Sequence, residues 1–107
     1  MNKIIIPKID NIHQKVFESA SKTECSLDMG QWHTCETTHC RAGWVVFLAG
    51  EEGRKLEAHL GTPLAAAKIY RKSSKIDVHW PLRFFESNEL AMDDMRRCAE
   101  LEAKNEQ

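Results

Sequence analysis

One apolar periodicity constrains this chain more than any other feature. After Thr37 and Thr38, apolar side chains recur at the spacing of one helix face, namely Cys40, Trp44, Phe47 and Leu48. A threonine hydroxyl can accept a hydrogen bond from a free amide at a helix start, so we expect the N-cap at Thr38. Gly50 follows the last periodic residue and predicts the end of the helix. The chain is therefore expected to fold around one central helix, with the face of Cys40 and Trp44 buried.

Weaker patterns predict four further helices, at about residues 11–22, 51–60, 63–72 and 88–103. The signals at the helix starts are Asp10 or Asn11, Thr62 before Pro63, and Ser87 or Asn88. Two long connections remain, at 23–37 and 73–87. The fold class expected is all-α or mostly α, a compact bundle of about five short helices. A minor two-stranded β-ribbon, pairing residues 4–6 with 27–29, is compatible with this pattern.

Length and charge limit the possible roles. At 107 residues the chain fits a single domain over 1–107, with an extended lead-in at 1–8 and a frayed tail at 104–107. Its 15 basic and 16 acidic residues give no overall field that would attract a polyanion. The only apolar run near the start, residues 4–6, is too short for a signal peptide or a membrane span. We therefore expect a cytoplasmic protein with no membrane partner, whose cysteines are thiols or metal ligands.

The segment before the central helix contains the residue types that zinc prefers. Because His39 and Cys40 are adjacent and should point in different directions, the expected ligand set is His33, Cys35 and Cys40. A fourth ligand would come from one of Cys25, Cys98, His13 and His79. The spacing matches no standard zinc motif, so the competing interpretation is a protein without a cofactor, in which Cys40 fills the core and Cys35 packs in the loop. His13 is otherwise expected at the surface, as is His59.

Cys40 also suggests a thiol enzyme. Near a helix N-terminus its thiolate would be stabilised by the helix dipole, and a neighbouring histidine could act as the base. However, Cys40 lies on the face that is expected to be buried, and no third, orienting residue stands at a recognisable position. We therefore expect no enzymatic activity.

A surface for partners is predicted from Lys68, Arg71, Lys72 and Trp80. Together with Lys75, Arg83 and Tyr70, these residues could bind nucleic acid through phosphate contacts and base stacking. The near-zero net charge lacks the basic excess typical of such proteins. The neighbouring pair Phe84 and Phe85 is expected to fill the core.

The central segment resembles a group of small bacterial and phage or prophage proteins without an assigned activity. The resemblance rests on the pattern Trp-x-x-Cys-x-x-x-x-Cys-x-Ala-Gly-Trp at residues 32–44, followed by Leu48-Ala49-Gly50 and Ile69-Tyr70, and it covers about residues 27–100. It implies a short cytoplasmic protein of a mobile element that binds a host or phage protein. It implies no catalytic or ligand residue.

The sequence is therefore compatible with three functions. The first is a non-enzymatic protein-interaction module that acts as an inhibitor or adaptor of a host or phage protein. The second is a zinc-stabilised module that binds nucleic acid. The third is a thiol-dependent enzyme that uses Cys40.

Overall fold

The computed structural model describes residues 4–105 and confirms a mostly α bundle with a small β-ribbon. Within this range the elements in chain order are α1 (Ile12–Ala20), β1 (His33–Cys35), β2 (Thr38–His39), α2 (Arg41–Leu48), α3 (Gly50–Leu60), α4 (Thr62–Ser73), a 3₁₀ helix (Leu82–Phe84) and α5 (Asn88–Asn105). None of these helices is both long and apolar enough to cross a membrane.

The two ends of the chain are described only in part. Residues 4–8 of the expected lead-in form no regular structure, and residues 1–3 lie outside the described range. Helix α5 continues through Lys104 and Asn105, so the described part of the expected tail is helical. Residues 106–107 also lie outside the described range.

Helix α2 lies at the centre of the bundle. It packs against α1, α3 and α4. Residues 41–46 are all buried, as expected for a helix that is apolar on every side. The predicted burial of Cys40 and Trp44 is confirmed, whereas Phe47 at the end of the helix is exposed.

The start of α2 differs from the prediction, because Thr38 is not its N-cap. Thr38 lies in strand β2, and its hydroxyl donates a hydrogen bond to the Cys25 carbonyl at 2.7 Å. The cap is Cys40 instead, whose Sγ accepts from the Gly43 N–H at 3.2 Å. Strand pairing keeps Thr38 in an extended conformation, so the helix begins only at Arg41.

A close approach of the preceding loop explains the glycine inside α2. A Cβ atom added to Gly43 would lie 1.8 Å from the Trp32 carbonyl oxygen, so no side chain fits there. The same carbonyl accepts from the Cys40 N–H at 3.2 Å. The indole of Trp44 donates to the Ser26 carbonyl at 2.8 Å. The loop is therefore bound along the buried face of α2, in close contact with Gly43.

The β-ribbon forms within the connection 23–37 and its continuation. Strand β1 pairs antiparallel with β2, His33 opposite His39 and Cys35 opposite Thr38. Leu27 forms a parallel bridge to His39, so the expected pairing of residues 27–29 with 4–6 is wrong. Ile4 and Ile5 are exposed instead.

The other predicted helix starts differ in outcome. Gly61, rather than Thr62, holds the N-cap position of α4, while the Thr62 hydroxyl donates to Glu57 at 2.7 Å. Asn11 holds the N-cap position of α1 as predicted, but its side chain makes no capping hydrogen bond. Ser87 caps α5 as predicted, since its Oγ accepts from the Leu90 N–H at 3.2 Å.

A buried ion pair joins the central helix to α5. Arg41 is 0 % exposed, and its Nη1 donates to Asp94 Oδ2 at 2.6 Å. Its Nε donates to the Tyr70 hydroxyl at 3.1 Å. The other Asp94 oxygen accepts from Arg97 Nη2 at 2.8 Å. Such a pair leaves no buried charge without a partner and fixes how α2, α4 and α5 meet.

Candidate functional site

Cys40, which belongs to both the predicted zinc site and the predicted thiol site, is unsuited to either role. It is 0 % exposed, and its sulfur is engaged with the Gly43 amide. Burial raises its pKa to about 11, despite the opposing hydrogen bonds from the backbone. The thiolate that a nucleophile or a metal ligand requires is therefore unfavourable at this position near neutral pH.

The ribbon places two imidazoles in direct contact. Because His33 and His39 are opposite each other in the strand pairing, their Nδ1 atoms lie 2.7 Å apart. On the outer side of this pair, His33 Nε2 lies 2.7 Å from Glu57 Oε2, which belongs to α3. On the inner side, His39 Nε2 lies 3.1 Å from the Glu36 carbonyl oxygen. The four groups form a continuous chain of polar contacts across the ribbon.

Aromatic packing fixes the position of His39. Its ring centroid lies 4.6 Å from that of Trp44, in an edge arrangement, and 4.6 Å from that of Phe47. The side chain is buried, and burial is the largest cause that lowers its pKa, with the nearby His33 acting in the same direction. The hydrogen bond to the Glu36 carbonyl acts in the opposite direction. His39 is therefore held as a neutral imidazole at neutral pH.

Cys35 lies in the same cleft as this pair. The cleft has a volume of about 590 Å³ and is lined by His33, Cys35, Glu36, His39, Val46, Phe47, Arg54 and Glu57. The exposed Cys35 thiol lies 3.4 Å from the Thr37 hydroxyl, and this hydrogen bond is the largest cause that lowers its pKa. Between residues 4 and 105, no three or more His, Cys, Asp or Glu side chains are already gathered to hold a metal ion. The expected set of His33, Cys35 and Cys40 is therefore not assembled.

A second candidate site is the exposed apolar segment before α5. Of the eight exposed large apolar side chains in the described range, four lie between residues 80 and 90. Leu82 is 77 % and Phe85 is 64 % exposed, and with the partly exposed Trp80 they form what we term the apolar ridge. The expectation that both phenylalanines fill the core is confirmed for Phe84 and wrong for Phe85, which is exposed and makes a T-shaped ring contact with Trp32.

The predicted interaction residues lie beside this ridge. A groove of about 390 Å³ separates α4 from the segment 74–80, and Arg71, Lys75, Val78, Trp80 and Phe84 are among its lining residues. Lys68 and Lys72 are exposed on the same helix as Arg71. We refer to Lys68, Arg71, Lys72 and Lys75 as the cationic face. None of these four side chains forms an ion pair with any residue in the described range.

Two residues of the predicted nucleic-acid surface are not free for that role. Tyr70 is buried and bonded to Arg41, so its ring cannot stack on a base. Arg83 lies within 3.0 Å of Glu86 and 3.5 Å of Asp94, so its charge is already balanced. Trp80 keeps the exposure that a binding role requires.

Sequence reasoning missed several of the residues that define these sites. Glu57 stands 24 positions after His33, and no local pattern connects the two. His39 was set aside because it is next to Cys40, yet the strand turns its ring towards His33. No sequence pattern marked Leu82 as a binding residue. Its position after Pro81 in an irregular connection is, however, typical of a surface segment.

The fold is thus a five-helix bundle with a ribbon that carries a histidine pair. Compared with known proteins, the chain matches no family model, no curated protein and no solved structure.

Proposed function

We propose that this protein is a non-catalytic interaction module that docks onto a partner protein through the apolar ridge and the cationic face. The observation that supports this proposal is the concentration of exposed apolar side chains within residues 80–90. Single exposed apolar residues are ordinary, whereas four large ones within residues 80–90 are a concentration of the kind found at interfaces.

The exposed side chains of the ridge carry a free-energy cost that a partner would remove. Burying a large aliphatic or aromatic side chain is worth about 1.5–3 kcal/mol. Trp80 and Phe85 are the residue types that often anchor interfaces. Phe84 lines two grooves, one together with Trp80 and the other together with Phe85. The ridge therefore offers two depressions into which side chains of a partner can insert.

The cationic face indicates the chemistry of the partner. Because its four positive charges have no partner within residues 4–105, an incoming acidic segment would gain favourable contacts without breaking an existing ion pair. The expected partner segment combines acidic residues with aromatic or aliphatic anchors. A role as an inhibitor or adaptor of a host or phage protein agrees with such docking and requires no catalytic group.

The same surface fits nucleic acid less well. Of the two aromatic residues that were predicted to stack on bases, only Trp80 is exposed, since Tyr70 is buried. The acidic Asp77 also lies in the groove beside the cations. A protein partner is therefore the better fit to both the apolar and the charged parts of the surface.

Selection of random peptides against the full chain tests this proposal. Enriched peptides should contain both acidic and aromatic or aliphatic residues, and binding should weaken at least tenfold in the Leu82→Glu/Phe85→Glu variant. Leu101→Glu, at another exposed position, is the matched control and should bind as the parent does. Arg71→Glu should weaken binding, whereas Lys15→Glu on α1 should not. Selection of no peptides, or equal binding by the ridge and control variants, would contradict the docking role.

A further inference from the structure

The protonation of the histidine pair follows from its outer contacts. A carboxylate and a backbone carbonyl can only accept hydrogen bonds. Since His33 Nε2 faces the Glu57 carboxylate and His39 Nε2 faces the Glu36 carbonyl, both Nε2 atoms carry hydrogen. In a neutral imidazole the other nitrogen then bears a lone pair. The two Nδ1 lone pairs therefore point towards each other across 2.7 Å.

This arrangement is unfavourable unless a cation lies between the two nitrogens. Histidines that bind a metal typically donate their second N–H to a carboxylate or a backbone carbonyl, which fixes the tautomer and the ring orientation. Both histidines here have such an anchor, from α3 in one case and from the turn of the ribbon in the other. We propose that His33 Nδ1 and His39 Nδ1 bind one zinc-type metal ion, with the Cys35 thiolate as the third protein ligand.

The distance between the two Nδ1 atoms is close to that required by a shared metal ion. Zinc–nitrogen bonds of about 2.0–2.1 Å in a tetrahedral site place two nitrogens about 3.3 Å apart, so the Nδ1 atoms would separate by about 0.6 Å. His39 is held by Trp44 and Phe47, whereas His33 lies at the edge of the cleft. The required movement therefore falls on His33 and the exposed strand that carries it.

Cys35 is the side chain that completes the set. It lies two residues from His33 on strand β1 and lines the same cleft. Its side chain is exposed and its Sγ contacts the Thr37 hydroxyl at 3.4 Å, so a rotation of the side chain can exchange this contact for the metal. The thiol loses its proton on binding the metal, and the released proton goes to solvent. A fourth position would stay open to water or to a ligand in the cleft.

The charges around the cleft favour a cation on balance. Glu57 and Glu36 line it, and Arg54 is its single arginine. The site differs from the set that the sequence suggested, because His39 replaces Cys40. The proposal does not depend on the docking role, since the cleft and the apolar ridge share no lining residue.

Zinc titration of the full chain, followed by calorimetry near neutral pH, tests the site. One Zn²⁺ should bind per chain, and Cys35→Ser and His33→Gln should each weaken binding at least tenfold. The matched controls are Cys25→Ser and His59→Gln, both exposed and outside the cleft, and they should bind as the parent does. Circular dichroism verifies that each variant is folded. Cys35 is exposed and can be replaced without touching the core.

Cobalt gives a second readout that a purely structural role would not produce. With Co²⁺ in place of zinc, the parent and Cys25→Ser should show a thiolate-to-metal charge-transfer band that Cys35→Ser lacks. The proposal is overturned if the parent binds no zinc, in which case the pair holds a proton only. It is also overturned if Cys35→Ser retains the parent affinity and the cobalt band.

Discussion

At the residue scale, burial changes the chemistry of His13. The amphipathic pattern of α1 predicted a surface position, but the side chain is 1 % exposed and stacks on Tyr70 with the ring centroids 5.1 Å apart. Its Nε2 has no hydrogen-bond partner among the residues that the structure describes. Burial lowers its pKa to about 4, and Arg41 contributes in the same direction, while Glu102 opposes the shift. The folded protein therefore keeps this imidazole neutral well below its usual range.

The lowered pKa of His13 makes folding stability depend on pH. The unfolded chain takes up a proton near pH 6.5 and the folded chain only near pH 4, so stability is unaffected above 6.5 and falls as the pH drops towards 4. At pH 4.5 the loss from this group is about 2.5 kcal/mol. Chemical unfolding of the protein at pH 7.5 and at pH 4.5 measures this loss of unfolding free energy.

The variant His13→Phe keeps the stacked ring and removes the titrating group. Its loss of unfolding free energy between the two pH values should be smaller than that of the parent by about 2.5 kcal/mol. His59→Gln, which changes an exposed histidine, should retain the full pH dependence. If His13→Phe and the parent lost the same unfolding free energy between pH 7.5 and 4.5, the prediction would be wrong. His13 would then bind a proton as readily in the folded protein as in the unfolded chain.

At the element scale, a distant part of the chain caps helix α1. No acidic residue lies in the first turn of this helix, and Asn11 makes no cap. Glu102 of α5 accepts from the His13 N–H at 3.1 Å and from the Gln14 N–H at 2.9 Å. A carboxylate at a helix N-terminus binds free amides and interacts favourably with the helix dipole. The start of α1 is thus stabilised by the helix against which it packs.

Replacing this capping carboxylate should weaken α1 specifically. Glu102→Ala removes two hydrogen bonds to the backbone and is expected to cost about 1–2 kcal/mol of unfolding free energy. Glu100→Ala, at an exposed position of the same helix, should change it by less than about 0.5 kcal/mol. Urea unfolding provides the energies, and hydrogen exchange should show faster exchange at the His13 and Gln14 amides. Similar values for the two variants would refute the capping role.

At the scale of the whole molecule, Asp94 joins elements that are distant in sequence. Arg41 from α2, Arg97 from α5 and Arg83 from the 3₁₀ helix all approach this carboxylate. Burial alone would raise the pKa of Asp94, but hydrogen bonds from Arg41 and Arg97 outweigh burial and lower it. Asp94 therefore stays charged inside the fold. Its stabilising effect is complete above the ordinary pKa of a carboxyl group and is lost progressively as the pH falls from there through the lowered pKa of the folded state.

Removing the charge of Asp94 should leave Arg41 buried without a counter-charge. Asp94→Asn is expected to cost about 3–5 kcal/mol of unfolding free energy. Asp93→Asn, which affects an exposed pair with Arg96, should cost less than about 1 kcal/mol. The double variant Arg41→Met/Asp94→Leu should be more stable than Asp94→Asn, since it buries no charge. Equal urea midpoints for the two single variants would contradict this account.

Local sequence patterns were sufficient to predict the helices and the central buried face. Periodic apolar residues and the serine cap at residue 87 act over a few positions, so their effects can be read locally. The prediction of five helices and of a buried Cys40 and Trp44 was confirmed for this reason. A glycine inside a helix is itself a local sign of close packing, and Gly43 lies against the Trp32 carbonyl.

Tertiary structure alone decided where the chemistry lies. The ribbon, rather than any helical pattern, sets His39 against His33 and moves the start of α2 to Arg41. Glu57 and Glu102 act on groups 24 and 89 positions away, and the buried Arg41 is compensated from α5. Such contacts depend on how the helices pack, and local spacing contains no information about that packing. Local patterns therefore predicted the helices, while the packing of the helices and the ribbon determined which polar groups meet.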